Sequence, residues 1–129
     1  MITLSIEYSN KADLERELIL NSFNDYDIVK EEILKKIDDL KKLIISNVEN
    51  YINNNIEIES IKKVPIKMHG KDFYYSQRSV RVNILTNYVS FNEELTFWYL
   101  FNKVDKTICI SQVYLSNWKY YIKTTLNAK

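Results

Sequence analysis

Between Asp27 and Asn54 the chain carries Val29, Ile33, Ile37, Leu40, Ile44, Val48 and Tyr51, apolar residues separated by three or four positions. That recurrence places them all on one face of an α-helix. The mean step is about 3.7 residues, so the stripe stays on one side of a nearly straight helix; a left-handed coiled coil needs about 3.5. The opposite side holds Glu31–Lys35, Glu32–Lys36 and Asp38–Lys42, each an acid four residues before a base. Such pairs mark a wet face and stabilise a helix by a few tenths of a kcal/mol apiece. Asp25 or Asp27 can cap the start, and Asn53, Asn54 and Asn55 suit its end. About 26 residues at 1.5 Å give roughly 39 Å, enough to cross a small domain. A helix this long needs a long apolar surface to lie on.

The flanking segments supply one. Residues 2–8 alternate Ile2, Leu4, Ile6 and Tyr8 with Thr3, Ser5 and Glu7, the pattern of a half-buried strand. Ser9 or Asn10 then caps a short helix over 11–23, with Leu14, Leu18, Ile19 and Phe23 on its apolar face. After Asn55 the period drops to two. Residues 56–68 read as a strand that Pro65 restricts to an edge or a bulge, because proline cannot donate to a ladder. His69-Gly70-Lys71-Asp72 reads as a turn, 73–90 as the next strand, and Asn92-Glu93 as another turn. Residues 94–104 are apolar on both sides, as a central strand is. Asp105-Lys106 reverses the chain into 107–116, and an aromatic strand at 118–123 closes the series.

The 129 residues contain 46% hydrophobic and 27% charged residues, ordinary values for one folded domain spanning 1–129. The expected fold is α+β: an N-terminal strand and two helices, the second long, on a curved antiparallel sheet of four to five strands. By architecture only, this is the arrangement of cystatin-like and NTF2-like rolls. The glycine-containing hairpin that cystatins insert into proteases is not evident, and fold does not imply function.

Several chemistries are excluded. A single glycine removes the dinucleotide fingerprint, the phosphate loop and the glycine motifs of common RNA-binding folds. One histidine and one cysteine cannot build a zinc site from the usual ligands, and no cofactor is indicated. Cys109 lies between Ile108 and Ile110 and reads as a small packing residue. The adjacent acids Glu31/Glu32, Asp38/Asp39 and Glu93/Glu94 read as solvated surface. Residues 1–10 lack a positive, apolar leader, and no run of 18 apolar residues spans a membrane. Those features, with the lone cysteine, make a cytoplasmic location the expectation. Asn, Ile, Lys and Tyr, which have A/T-rich codons, are abundant and suggest an A/T-rich or mobile genome.

Charge is uneven. Residues 1–55 hold seven Lys/Arg against eleven Asp/Glu, whereas residues 56–129 hold eleven against six. Within the basic half, Lys67, His69, Lys71, Tyr74, Tyr75, Arg78 and Arg81 cluster in and beside one predicted hairpin. Trp118, Lys119 and Tyr121 form a second group. Cations beside aromatic rings suit an acidic protein surface, or phosphates and stacked bases. The leading expectation is a non-catalytic protein that binds a protein partner with an acidic surface. It would be an inhibitor, immunity or host-modulating protein of a phage or mobile element. The alternatives are a single-stranded nucleic-acid binder using the same face, and a pocket protein or enzyme of the NTF2-like kind.

Overall fold

The structure, a computed structural model, describes residues 4–54, 61–68, 71–102 and 104–117, with the backbone alone for 54, 61–68 and 71–72. The elements run β1 (Ser5–Tyr8), α1 (Asn10–Asn21), α2 (Asp27–Asn54), β2 (Ile61–Met68), β3 (Lys71–Leu85), β4 (Ser90–Phe101) and β5 (Thr107–Leu115). The protein is α+β, and its open sheet has the order β1-β5-β4-β3-β2. From β2 to β5 the neighbours are antiparallel, but β1 joins β5 in parallel. The sheet is therefore mixed, not antiparallel throughout. No hairpin joins β1 to β5, so nothing local dictated their direction; helices and three strands intervene. The expected strand at 118–123 lies outside the described residues.

The stripe of α2 is buried at every expected position, from Val29 to Tyr51. It faces Val82 of β3, Phe91, Leu95, Phe97, Tyr99 and Phe101 of β4, and Ile108, Ile110, Val113 and Leu115 of β5 within one core. Aromatic contacts fix both ends of the helix. Phe23 meets Phe91 edge-on at 5.4 Å, and Tyr51 meets Tyr74 at 5.4 Å and Phe101 at 5.8 Å. The start of α2 thus lies over the β3–β4 turn, and its end lies over the start of β3. Burying each such side chain stabilises by about 1.5–3 kcal/mol. Two of the expected surface pairs also form, Glu32–Lys36 at 3.7 Å and Asp38–Lys42 at 3.1 Å, each worth only a few tenths. Packing holds this helix in place.

Leu14 and Leu18, expected in the core, are instead exposed at 56% and 44%. The buried face of α1 carries Ala12, Ile19 and Leu20, with Phe23 just beyond it. The reason is a backbone demand at the sheet edge. Where β1 stops at Tyr8, α1 takes its place beside β5. Ser9 donates its backbone N–H to the Ile110 carbonyl at 2.9 Å, and its hydroxyl accepts from the Ala12 N–H at 3.0 Å, capping the helix. One turn on, the Glu15 carboxylate accepts the Val113 N–H at 3.2 Å. An edge donor is thereby closed to strand addition.

Sheet register carries two irregularities. Trp98 pairs with Gln112 but Tyr99 with Ile110, leaving Ser111 as an extra residue whose hydroxyl donates to the Trp98 carbonyl at 3.2 Å. This bulge is why Ile108 and Ile110, then Val113 and Leu115, share the core face despite the change from even to odd. The other slip, between Lys62 and Ile66, spans Pro65 in edge strand β2, as the proline implied.

The turn expected at Asn92-Glu93 is instead Thr86 to Val89. There the Thr86 hydroxyl accepts the N–H groups of Tyr88 (3.2 Å) and Val89 (2.8 Å), and the Thr86 N–H donates to the Val89 carbonyl at 2.8 Å. A threonine side chain does the work sought from Asn-Glu. Asn92 and Glu93 continue β4 opposite Asn83 and Val82. Nor is Glu93 solvated surface: it is buried, accepting from the Ser116 hydroxyl and, at 3.2 and 3.3 Å, from the Asn117 amide. Asn117 sits at φ 57°, a left-handed angle asparagine tolerates.

Leu40 is fully buried and Leu34, on the same helix, is 45% exposed. Leu40→Ala is expected to cost about 2–5 kcal/mol in a urea titration. Leu34→Ala should cost under about 1 kcal/mol, and equal losses would reverse the helix face.

Tyr8 gives a second test. Its ring lies beneath the Arg16 guanidinium (5.0 Å) and the Lys41 ammonium (5.2 Å), with Phe97 edge-on at 6.0 Å. Burial pushes its phenol up to about 12, with Arg16 pulling the other way. In the unfolded chain a tyrosine ionises near 10. Tyr8 therefore contributes fully below pH ~10 and loses that contribution as pH rises toward 12. Melting curves from about pH 8 to 11 should show a shallower alkaline decline in Tyr8→Phe than in the wild type; parallel curves would refute the assignment.

Candidate functional site

Both helices pack against one side of the sheet. Among the described residues no element lies over the other side, and its composition follows from register. Side chains alternate along a strand, so Tyr75, Gln77, Ser79, Arg81 and Asn83 of β3 share that open side. They lie opposite Leu100, Trp98, Thr96, Glu94 and Asn92 of β4. β5 adds Gln112 and Tyr114, paired with Trp98 and Thr96, and Cys109, paired with Leu100.

At the centre Tyr75 stacks on Trp98, with centroids 5.3 Å apart and planes at 18°. Tyr75 is the diagonal neighbour of Trp98, since its direct partner is Leu100. Each ring turns one face to the other, so the pair forms a ridge standing on the sheet rather than a flat platform. Beside it the hydroxyls of Ser79 and Thr96 bond at 2.7 Å. Farther along, Arg81 reaches Glu94 at 3.7 Å, both more than half or nearly half exposed. Tyr114 carries the aromatic strip onto β5. Burial, with the Glu7 carboxylate adding to it, pushes the Cys109 thiol upward. A nucleophilic cysteine needs the opposite shift.

The predicted cluster is divided. Arg78 and Arg81 are three residues apart, and in a strand that puts them on opposite sides. Arg78 pairs with Phe97 on the helix-covered side, half-buried, beside Val80 and Val82. There it and Ser76 draw the Tyr99 phenol down while burial, the larger influence, raises it. Tyr74 is on that side too, stacked on Phe101 at 5.4 Å as part of the core. Among the cluster's described side chains, Tyr75 and Arg81 are the two on the open side. Lys67 and Lys71 have their backbones in the β2–β3 pairing, opposite Asp72 and Met68, while their side chains lie outside the described residues. His69, Trp118, Lys119 and Tyr121 lie outside them entirely.

Trp98, Leu100, Gln112 and Tyr114 belong to the open side but not to the predicted set. Reading 94–104 as apolar on both sides hides Trp98 and Leu100, which stand half-buried on the open side. Their parity relative to Phe97 and Tyr99 was the available signal. Among the described residues no group of His, Cys, Asp and Glu side chains is arranged to hold a metal ion, and no helix is long and apolar enough to cross a membrane. No protein-family model matches the sequence, and no curated protein or solved structure matches it.

The two arginines should separate in stability measurements. Arg78→Ala removes a stem packed against the core and is expected to cost about 1–2 kcal/mol. Arg81→Ala breaks an exposed pair and should move stability by under about 1 kcal/mol. Equal effects in chemical unfolding would place both on the same side.

Proposed function

We propose that this chain is a non-catalytic binding protein whose open sheet face docks a protein partner. One observation carries this reading. The aromatic strip Tyr75–Trp98–Tyr114 crosses three strands on the face left open by the helices, among Leu, Gln, Ser and Thr side chains. Its described charged side chains are Arg81, Glu94 and Glu7; lysine is absent from them. Protein interfaces are enriched in Tyr, Trp and Arg and depleted in Lys. A nucleic-acid groove needs several uncompensated cations to neutralise phosphates and ring faces free for bases. Here the arginine already meets a carboxylate and the central rings face each other, so the protein reading is favoured over single-stranded nucleic acid. The partner patch is correspondingly aromatic and near neutral at its centre, with acidic character left to the basic residues of the 56–129 half.

The pocket reading draws less support, because the space between α2 and the sheet holds Phe97, Tyr99 and Phe101, all essentially fully buried. The same reading takes the sheet as curved around α2 in the manner of a cystatin-like or NTF2-like roll. Bulges at 62–66 and at Ser111 are the devices that bend a sheet around a helix. A rigid sheet face with an aromatic ridge suits a small inhibitory or host-modulating protein of the cytoplasm.

The test is surface plasmon resonance with the partner captured from the source cell and with a dT oligonucleotide. Trp98→Ala and Tyr75→Ala should each raise the dissociation rate from the protein partner by about tenfold or more, as interface anchors do. Little change is expected between about 50 and 300 mM salt, since a ring contact is not screened. The oligonucleotide should not bind. Salt-dependent oligonucleotide binding, or unchanged partner kinetics in variants that melt like the wild type, would overturn the reading.

A further inference from the structure

A group of polar side chains interrupts the apolar surface on the helix-covered side of the sheet. Ser76 and Arg78 take their places there between Tyr74 and Val80 of β3, and Tyr99 is the direct partner of Ser76 across β4. Asn47 of α2 joins them from above by register. Tyr51 meets Tyr74 and Phe101 at 5.4 and 5.8 Å. Four residues of helix cover about 6 Å and two residues of strand about 6.6 Å. Asn47, one turn back from Tyr51 on the same face, is therefore level with Ser76 and Tyr99.

The hydrogen-bonding capacity of this group is one-sided. The Tyr99 side chain is fully buried, yet its hydroxyl meets no partner at hydrogen-bonding geometry, and neither does the buried amide nitrogen of Asn47. Arg78 is half-buried and belongs to none of the ion pairs among the described residues. Burial raises the Tyr99 phenol while Ser76 and then the Arg78 guanidinium draw it down, so the cation stands close to the hydroxyl. Glu93, an acid on this side of β4, pairs with Val82, four residues along β3 from Arg78, and is engaged by Ser116 and Asn117.

A phenol, an amide nitrogen and a guanidinium can all donate, and the last adds a positive charge. A buried donor without an acceptor is costly, so this arrangement is suited to a ligand that brings acceptors and negative charge. We infer that Asn47, Arg78 and Tyr99 form a binding site for a small oxyanion, a carboxylate or a phosphate. Arg78 supplies the charge, and Tyr99 and Asn47 orient the oxygens. The site lies on the opposite side of the sheet from the ridge at Tyr75 and Trp98, so it stands or falls independently of docking at the open face.

Isotope-labelled protein is titrated with sodium phosphate, sodium acetate and sodium chloride at constant ionic strength, and the side-chain N–H signals of Arg78 and Asn47 are followed by NMR. Phosphate or acetate, but not chloride, is expected to move both sets of signals along one saturable curve. The salt that saturates at the lower concentration identifies the class of oxyanion. Arg78→Gln should weaken that binding by about tenfold or more, since it removes a charge-assisted bond. Tyr99→Phe should weaken it by about fivefold without lowering the melting temperature of the anion-free protein, because the lost hydroxyl had no partner. Trp98→Ala, which tests the open face, should leave the titration unchanged. Equal, unsaturated drifts in all three salts, or no response in any, would reduce the group to one that water alone satisfies and would overturn the site. Unchanged affinity in Arg78→Gln and Tyr99→Phe proteins that melt normally would do the same. If Arg78→Gln does not fold, Tyr99→Phe and Asn47→Ala decide the question.

Discussion

The apolar stripe of α2 against the inner side of β3, β4 and β5 is the contact on which the rest of the structure depends. A helix of 28 residues can bury its stripe only against strands of comparable length, and β3 with 15 residues and β4 with 12 provide them. Once one side of the sheet is committed to the helix, every strand residue is assigned by parity to the core or to the opposite side. Where parity would have failed, in β5, the Ser111 bulge restores it.

The ends of the sheet are governed by a different requirement. Buried or edge backbone groups need partners, and here side chains supply several of them. Ser9 and Glu15 serve β5 where β1 is too short to do so, the Ser111 hydroxyl serves the Trp98 carbonyl of β4, and the Ser116 hydroxyl accepts the Glu94 N–H where β5 ends. The contacts of Ser9 and Glu15 set the position of α1. They also explain why two leucines on that helix are left in water: accommodating Glu15 beside Val113 fixes the rotation of the helix about its axis.

Function reads differently once sidedness is known. A cluster of cations and tyrosines in sequence becomes two populations, one supporting the core and one facing out. The outward population is nearly neutral and aromatic. On the binding function proposed above, a surface of that kind would gain affinity from desolvated rings rather than from charge, and would select a partner by shape and hydrogen bonding more than by electrostatic steering.

Much of this was legible in the chain itself. The stripe of α2 and the α+β class follow from spacing, because a helix or strand with one buried side must repeat at 3.6 or 2 residues; the central position of β4 follows from its apolar run and the edge character of β2 from Pro65. The opposite placement of Arg78 and Arg81 was legible too, in their odd separation. Other features depend on groups far apart in sequence. The parallel pairing of β1 with β5, the burial of Glu93 under Ser116 and Asn117, and the rotation of α1 around Glu15 each join residues separated by 20 to about 100 positions. Local periodicity reports which side of an element is apolar; only the folded chain decides which distant backbone group that side must also satisfy.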